Sequence, residues 1–222
     1  MYIYLSHPLN NDTPTYGNRM EVNVKRLKSI DEGSTVNESF LELPLHAGTH
    51  IDYPLHFYKE GQTHLDFPAS FWVFDKPLLL NICSDELIIE NQIIEKLNDI
   101  QNKDSYDLVL IKTGASEYRG ESKYWEYNHG LSPLVAIHIK ENFPSVRCVG
   151  MDFISLSSFQ HSSTGKQAHL EFLNPKDPII IIEDMNLSEL TISNNIVKVI
   201  VAPVRIDESD GVPVSCLAEI ED

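Results

Sequence analysis

The chain has 222 residues and a formal net charge of −16, long enough for a full core but lacking the clustered Lys and Arg that a nucleic-acid backbone or an anionic membrane surface requires. Apolar residues at 42% and charged residues at 23% are proportions of a self-folding globular protein. No apolar run approaches the ~20 residues of a membrane span, and the opening Met1–Pro8 has no basic, then apolar leader, so a cytoplasmic protein is expected.

Short β-rich runs are read, in chain order, at Tyr2–Leu5, Glu21–Leu27, Ser39–Leu45, Val73–Ile82, Leu108–Lys112, Arg147–Met151, Ile179–Glu183, Ile196–Val201 and Val214–Ile220. Between them, Ile89, Ile93, Leu97 and Ile100 fall on one face at the helical period and predict a helix over Asp85–Ile100. A second helix is expected over Pro133–Asn142, with Ser132 as its N-cap, Pro133 at its first position and Phe143-Pro144 as its stop. Strand Leu108–Lys112, this helix and strand Arg147–Met151 then form a βαβ unit. A further helical turn is read at Lys166–Leu173, ended by Pro175. No linker or repeat divides the chain, so residues 1–222 read as one α/β domain with a mixed sheet core and flanking helices. Cys83, Cys148 and Cys216 are too scattered for a disulfide framework or a paired-cysteine metal site, and are expected to be small buried residues.

The chemistry concentrates between His46 and His56. His46, Gly48, His50, Asp52, Pro54 and His56 occupy even positions, whereas Leu45, Ala47, Thr49, Ile51, Tyr53 and Leu55 occupy odd ones. In extended backbone this alternation packs one set into a core and lines a cavity with the other. A flat strand would leave His46 and Asp52 roughly 20 Å apart, so the backbone must bend, and Gly48 is where it can. Two imidazoles and a carboxylate are a ligand set for Zn²⁺ or another divalent ion that leaves a coordination position for water. His56, on the same wall, is placed to exchange protons without binding metal. Glu183 ends a very apolar strand, where a lone carboxylate is costly unless paired or bound to a cation.

The run His46-Ala-Gly-Thr-His50-Ile-Asp52-Tyr-Pro-Leu-His56-Phe57 resembles the signature of the cyclase-like metal-dependent hydrolases, the family of bacterial kynurenine formamidase and isatin hydrolase. Weaker echoes stand at Leu5–Leu9, Ile111–Gly114, Gly130–Pro133, Val149–Asp152 and Gly211–Val214, so the likeness spans nearly the whole chain. It implies a swivelling β/α/β fold and a homodimer or larger homo-oligomer. It also implies metal ligation by His46, His50 and Asp52, proton donation by His56, and a later histidine and glutamate that complete a site for one or two ions. That pair matches best at His169 and Glu183, with His161 as the competitor to His169 and Asn174–Pro178 as an inserted loop. Where the family sets a tryptophan from an early loop against its substrate, this chain has Tyr16.

The expected function is hydrolysis of a small amide by water activated on a divalent metal, Zn²⁺ first and Mn²⁺ as the alternative. An aryl formamide such as N-formylkynurenine is one substrate. A lactam or cyclic imide such as isatin is another, left open by the smaller, hydroxyl-bearing ring of Tyr16. A non-catalytic metal-binding regulatory module is the reading from a different class.

Overall fold

Leu108–Ile111 and Ile179–Ile182 are apolar at every position, so neither run offers a face to water, and each needs cover on both sides of its sheet. In the computed structural model, which describes residues 1–221, both runs are interior strands of one large sheet. In chain order the elements are β1 (Tyr2–Tyr4), β2 (Asn23–Lys28), β3 (Glu38–Glu42), β4 (His50–Asp52), β5 (Val73–Phe74), β6 (Pro77–Asn81), β7 (Ile88–Ile89) and α1 (Asn91–Asp99). They continue with β8 (Leu108–Lys112), α2 (Lys123–Glu126), β9 (Gly130–Leu131), α3 (Pro133–Asn142), β10 (Cys148–Met151), α4 (Ser162–Phe172), β11 (Ile180–Glu183), β12 (Asn195–Pro203) and β13 (Gly211–Glu221).

Nine strands join in the order β5-β12-β13-β4-β11-β10-β8-β6, with β1 paired to β13. β6, β8, β10 and β11 run parallel. β4 is antiparallel to both of its neighbours, β11 and β13, and the sheet continues antiparallel through β12 and β5. The mixed α/β architecture expected from the alternating strand and helix signals is therefore the one adopted, with the βαβ unit β8-α3-β10 in the middle of its four parallel strands.

Side chains of opposite parity divide into two cores. Val109, Ile111, Val149, Met151 and Ile181 pack beneath the helices with Ile93, Leu97, Val135, Ile139, Ala168 and Phe172. Leu108, Leu110, Cys148, Ile180 and Ile182 pack on the other face with Ile51, Val212 and the β12–β13 side chains.

Helix α3 has the expected bounds, and the Ser132 hydroxyl accepts from the Leu134 N–H at 3.2 Å. α4 begins at Ser162, ahead of the expected Lys166. The first predicted helix is shorter than its periodicity suggests: Asp85–Glu90 is not helical, because Ile88–Ile89 pairs with Gly130–Leu131 and the Leu87 carbonyl accepts from Gly130 N–H at 2.7 Å. Ile89, Ile93 and Leu97 still share one buried face, which is why the pattern reads as a single helix. The Val73–Ile82 run breaks into β5 and β6 at Asp75–Lys76, whose N–H groups turn to the Asp107 carboxylate. Cys148 and Cys216 are buried as expected, but Cys83 is exposed just after β6.

Candidate metal centre

β4 is the hinge between the parallel and antiparallel halves of the sheet, and its parity sets the site. Ile51 points into the core away from the helices, so His50 and Asp52 face the helix side. β11 pairs with β4 so that Glu183 stands opposite His50. Glu183 shares the parity of Ile181 and also faces the helices, where α4 presents His169. The chain enters β4 through Gly48 at φ +66, so this bend needs glycine for its backbone angle, and Leu9 Cδ2 packs against the space a Cβ would take. The Thr49 hydroxyl accepts from His7 N–H and donates to the Asp184 carbonyl, fixing the entry to β4 against the exit of β11.

Four buried side chains close a ring. His50 Nε2 approaches Asp52 Oδ1 and Glu183 Oε2, each at 3.4 Å. His169 Nε2 approaches Asp52 Oδ2 at 3.3 Å and Glu183 Oε1 at 3.4 Å. Both imidazoles donate their other nitrogen, Nδ1–H, to a backbone carbonyl at 2.8 Å, Gly48 O for His50 and Gly165 O for His169. That fixes the tautomer so that each Nε2 faces the carboxylates, the arrangement expected of metal-ligating histidines. Atoms bound ~2.1 Å from one ion at tetrahedral angles lie roughly 3.4 Å apart, so the donor spacings and donor types fit a divalent cation on either side of the Asp52–Glu183 axis. His50, Asp52 and Glu183 meet the spacing for a shared ion, as do His46, Asp52 and His56.

The electrostatics carry the same signature. Burial alone would lower the His169 imidazole, but hydrogen bonding to Asp52 and Glu183 lifts it to about 10. His50 is likewise driven well above its ordinary value against its burial. Burial would raise Asp52 and Glu183, yet the surrounding imidazoles hold both below the usual carboxylate range. Two buried carboxylates that are kept charged by protons on their partners form a site in which a cation can replace those protons.

A second group meets the ring at Asp52. His46 Nδ1–H donates to Asp52 Oδ1 at 2.8 Å, and its Nε2–H donates to Asp210 Oδ2 at 3.0 Å. The two signature histidines thus converge on the same Asp52 oxygen from different sides. Burial would lower His46, but the two carboxylates raise it to about 9. His56, in the short turn after β4, lies with its ring 4.2 Å from that of His46 and donates Nδ1–H to the same Asp210 Oδ2 at 2.9 Å. Hydrogen bonds from His46 and His56 hold the Asp210 carboxyl far below its usual range. The His56 side chain is 30% exposed against 4% for His50 and His169, which puts it at the mouth of the site rather than inside it.

Tyr16 lies in a turn within range of the Glu183 charge, its ring edge-on to Phe159 at 5.6 Å. His161 is exposed at the start of α4, whereas His169 faces the ring. Asp210 was not singled out from the sequence. An acidic residue before Gly211 reads as an ordinary turn residue, and the only hint is its position beside the Gly211–Val214 echo.

Residues 3–158 match the sequence model of the cyclase family. The chain belongs to the cyclase family. Among its relatives are a kynurenine formamidase of Bacillus anthracis, 25% identical over 96% of this chain and 94% of the relative, and cyclase-like protein 2 of Oryza sativa subsp. japonica, 25% identical over 96% and 77%. Among solved structures the fold superposes on isatin hydrolase A from Labrenzia aggregata bound to benzyl benzoate, with TM-score 0.79 and 20% identity over 98% of this chain and 93% of that one. It also superposes on a structure described as a potential metal-dependent hydrolase with cyclase activity, with TM-score 0.75 and 24% identity over 98% and 96%.

This cyclase-family site is braced from behind. Leu156 N–H and the Ser155 hydroxyl both donate to Glu183 Oε1, at 2.6 and 3.1 Å. The next residue, Asp184, is buried and takes a two-pronged contact from Arg119, with Nε 2.8 Å from Oδ1 and Nη2 2.7 Å from Oδ2, together with the Tyr124 hydroxyl. Asp152, also buried, accepts from the N–H groups of Thr113 and Gly114 at 2.8 Å, so it shapes a neighbouring loop and does not join the ring. At Gly211 a Cβ would lie 2.4 Å from His46 Cε1, so only glycine leaves the room that His46 occupies beside Asp210.

Proposed function

We propose that this chain is a metal-dependent hydrolase of small amides, with an aryl formamide such as N-formylkynurenine as substrate. The observation that carries the reading is the buried ring of His50, Asp52, His169 and Glu183, whose donor spacing and proton-neutralised charge suit one or two divalent ions. A bound Zn²⁺ or Mn²⁺ would polarise the amide carbonyl and make hydroxide available near neutral pH. His46 adds a ligand at Asp52 when deprotonated. His56, oriented through Nδ1 by Asp210, has Nε2 free of any hydrogen bond among the described residues, and this atom delivers the proton to the departing nitrogen. Tyr16 and Phe159 supply aromatic surface against the substrate.

The full-length similarity to kynurenine formamidase supports the formamide, and the tyrosine at position 16 favours the second reading, opening of a lactam such as isatin. Elemental analysis of purified protein and turnover of N-formylkynurenine against isatin test both. Metal near one or two equivalents with formamide turnover supports the first, isatin turnover alone favours the second, and metal with neither activity returns the chain to a regulatory metal-binding module.

A cytoplasmic enzyme working as a homodimer is part of the same proposal. Among the described residues no helix is long and apolar enough to cross a membrane. The β2–β3 hairpin exposes Val24, Leu27, Phe40 and Leu41, apolar surface that a second copy could cover. Light scattering on eluted protein reads the assembly.

A further inference from the structure

Close enough to Glu183 to feel its charge, the phenol of Tyr16 stands without a partner. The Tyr16 hydroxyl is shielded from solvent and makes no hydrogen bond, although its ring is held in place by Phe159. Unpaired buried donors are uncommon in folded proteins and each calls for a reason. The fold offers no internal one: Gly17, at φ +64, turns the chain immediately afterwards, and a Cβ there would meet Phe159 Cε2 at 2.7 Å, so the turn seats the tyrosine tightly without giving its oxygen anything to bond. The segment that seats it is the one that serves the ring, since Ser155 and Leu156 hold Glu183 and Phe159 follows them in the same loop.

We propose that the Tyr16 hydroxyl is a specificity donor, hydrogen-bonding a second, neutral carbonyl of an aromatic amide whose first carbonyl is the one attacked at the ring. This rests on the amide-hydrolase reading above. Burial, and then the nearby Glu183 charge, raise the phenol above its ordinary value, so the oxygen keeps its proton and acts as a donor. Glu183 and Arg19, whose guanidinium lies 5.3 Å over the Phe159 ring, act on the phenol in opposite directions, so neither sign of acceptor charge is favoured and a neutral carbonyl suits this neutral donor. Aromatic walls dictate the rest of the ligand: Phe159 lies beside Tyr16, and Phe57 stacks on His169 at 4.6 Å. A cation held by the ring would supply the electrophile for the attacked carbonyl, so the tyrosine serves a separate acceptor. A site built to hydrogen-bond a substrate group discriminates strongly against the analogue that lacks it.

A matched pair of probes tests this, formanilide and 2′-acetylformanilide, which differ by one ring ketone. In the metal-loaded protein Tyr16→Phe should lower kcat/KM for the acetyl compound by about tenfold and leave formanilide within about twofold. The same variant should melt at the wild-type temperature or above it, because it removes an unsatisfied group without changing the packing of the ring. Equal losses on both probes would overturn the proposal in favour of contact with the reacting carbonyl. A lowered melting temperature, or no loss on either probe, would overturn it as well. Wild type that turns over neither probe sinks the formamide reading itself, a failure seen before any variant is made.

Discussion

The inner ring and the outer trio share Asp52 but are built to opposite specifications. In the ring, His50, His169, Asp52 and Glu183 are nearly sealed from solvent, and every non-facing nitrogen is tied to backbone. In the trio, His46, His56 and Asp210 are 27%, 30% and 42% exposed at their side chains and are tied mainly to one another. Sealed, backbone-anchored donors cannot relax away from one another, so their charge is best neutralised by a cation. Donors at a solvent edge can exchange protons with a ligand or with water. On the reading proposed above, the ring holds the metal with His46 as an added ligand, His56 and Asp210 serve proton movement, and substitutions should divide along that line.

The largest effect is expected where the groups join. Asp52→Ala removes a carboxylate that touches His46, His50 and His169, and should strip the metal and abolish turnover together, as measured by elemental analysis and a formamide assay. His56→Ala should keep the wild-type metal content while turnover falls by about 10²–10⁴-fold, the usual worth of a general acid. Equal metal loss in both variants would erase the division. Asp210→Asn comes next: it leaves His46 and His56 in place but weakens the carboxylate that orients both, and turnover should fall by roughly 100-fold with metal retained.

Much of this division was written in the local sequence, and the part that was not is long-range. The alternation from Leu45 to His56, with glycine at the bend, sufficed to put His50 and Asp52 on one wall, and Ser132-Pro133 placed α3 to the residue. β4 itself is three residues long and two of them are polar, so no propensity marks it as a strand; it exists because β11 and β13 pair with it on either side. Asp210 lies more than 150 positions from His56 and reaches it only through β13, whose pairing register puts Gly211 beside Asp52. The helix expected from Asp85 lost its first turn for the same reason, a pairing of Ile88–Ile89 with a segment some forty residues later.

Solution pH separates ring from cation. Imidazoles raised to about 10 at His169 and about 9 at His46 stabilise the metal-free protein fully below their ordinary 6.5, and that contribution is lost as pH climbs through 9 to 10. Asp52 and Glu183, held low, contribute above the ordinary carboxylate range and lose that contribution as pH falls below about 4. Chelator-treated protein should therefore melt highest between about pH 5 and 7 and fall steadily above that. Metal must displace the imidazole protons, so its affinity should rise by about tenfold per pH unit for each proton released across the neutral range. A flat affinity would show that the ring is not protonated when empty.

The smallest predicted effect is the mirror image of Asp210→Asn. Glu183 Oε1 accepts from both Leu156 N–H and the Ser155 hydroxyl, so Ser155→Ala removes the weaker, longer bond and leaves the backbone one intact. The carboxylate should stay in the ring but lose some of its orientation, costing about tenfold in metal affinity, the lower edge of what partners of metal ligands contribute. At saturating metal, turnover should return to the wild-type value, because nothing near His56 has changed. A turnover defect that excess metal does not rescue would mean that Glu183 takes part in proton movement, and the two halves of the site would no longer be separable.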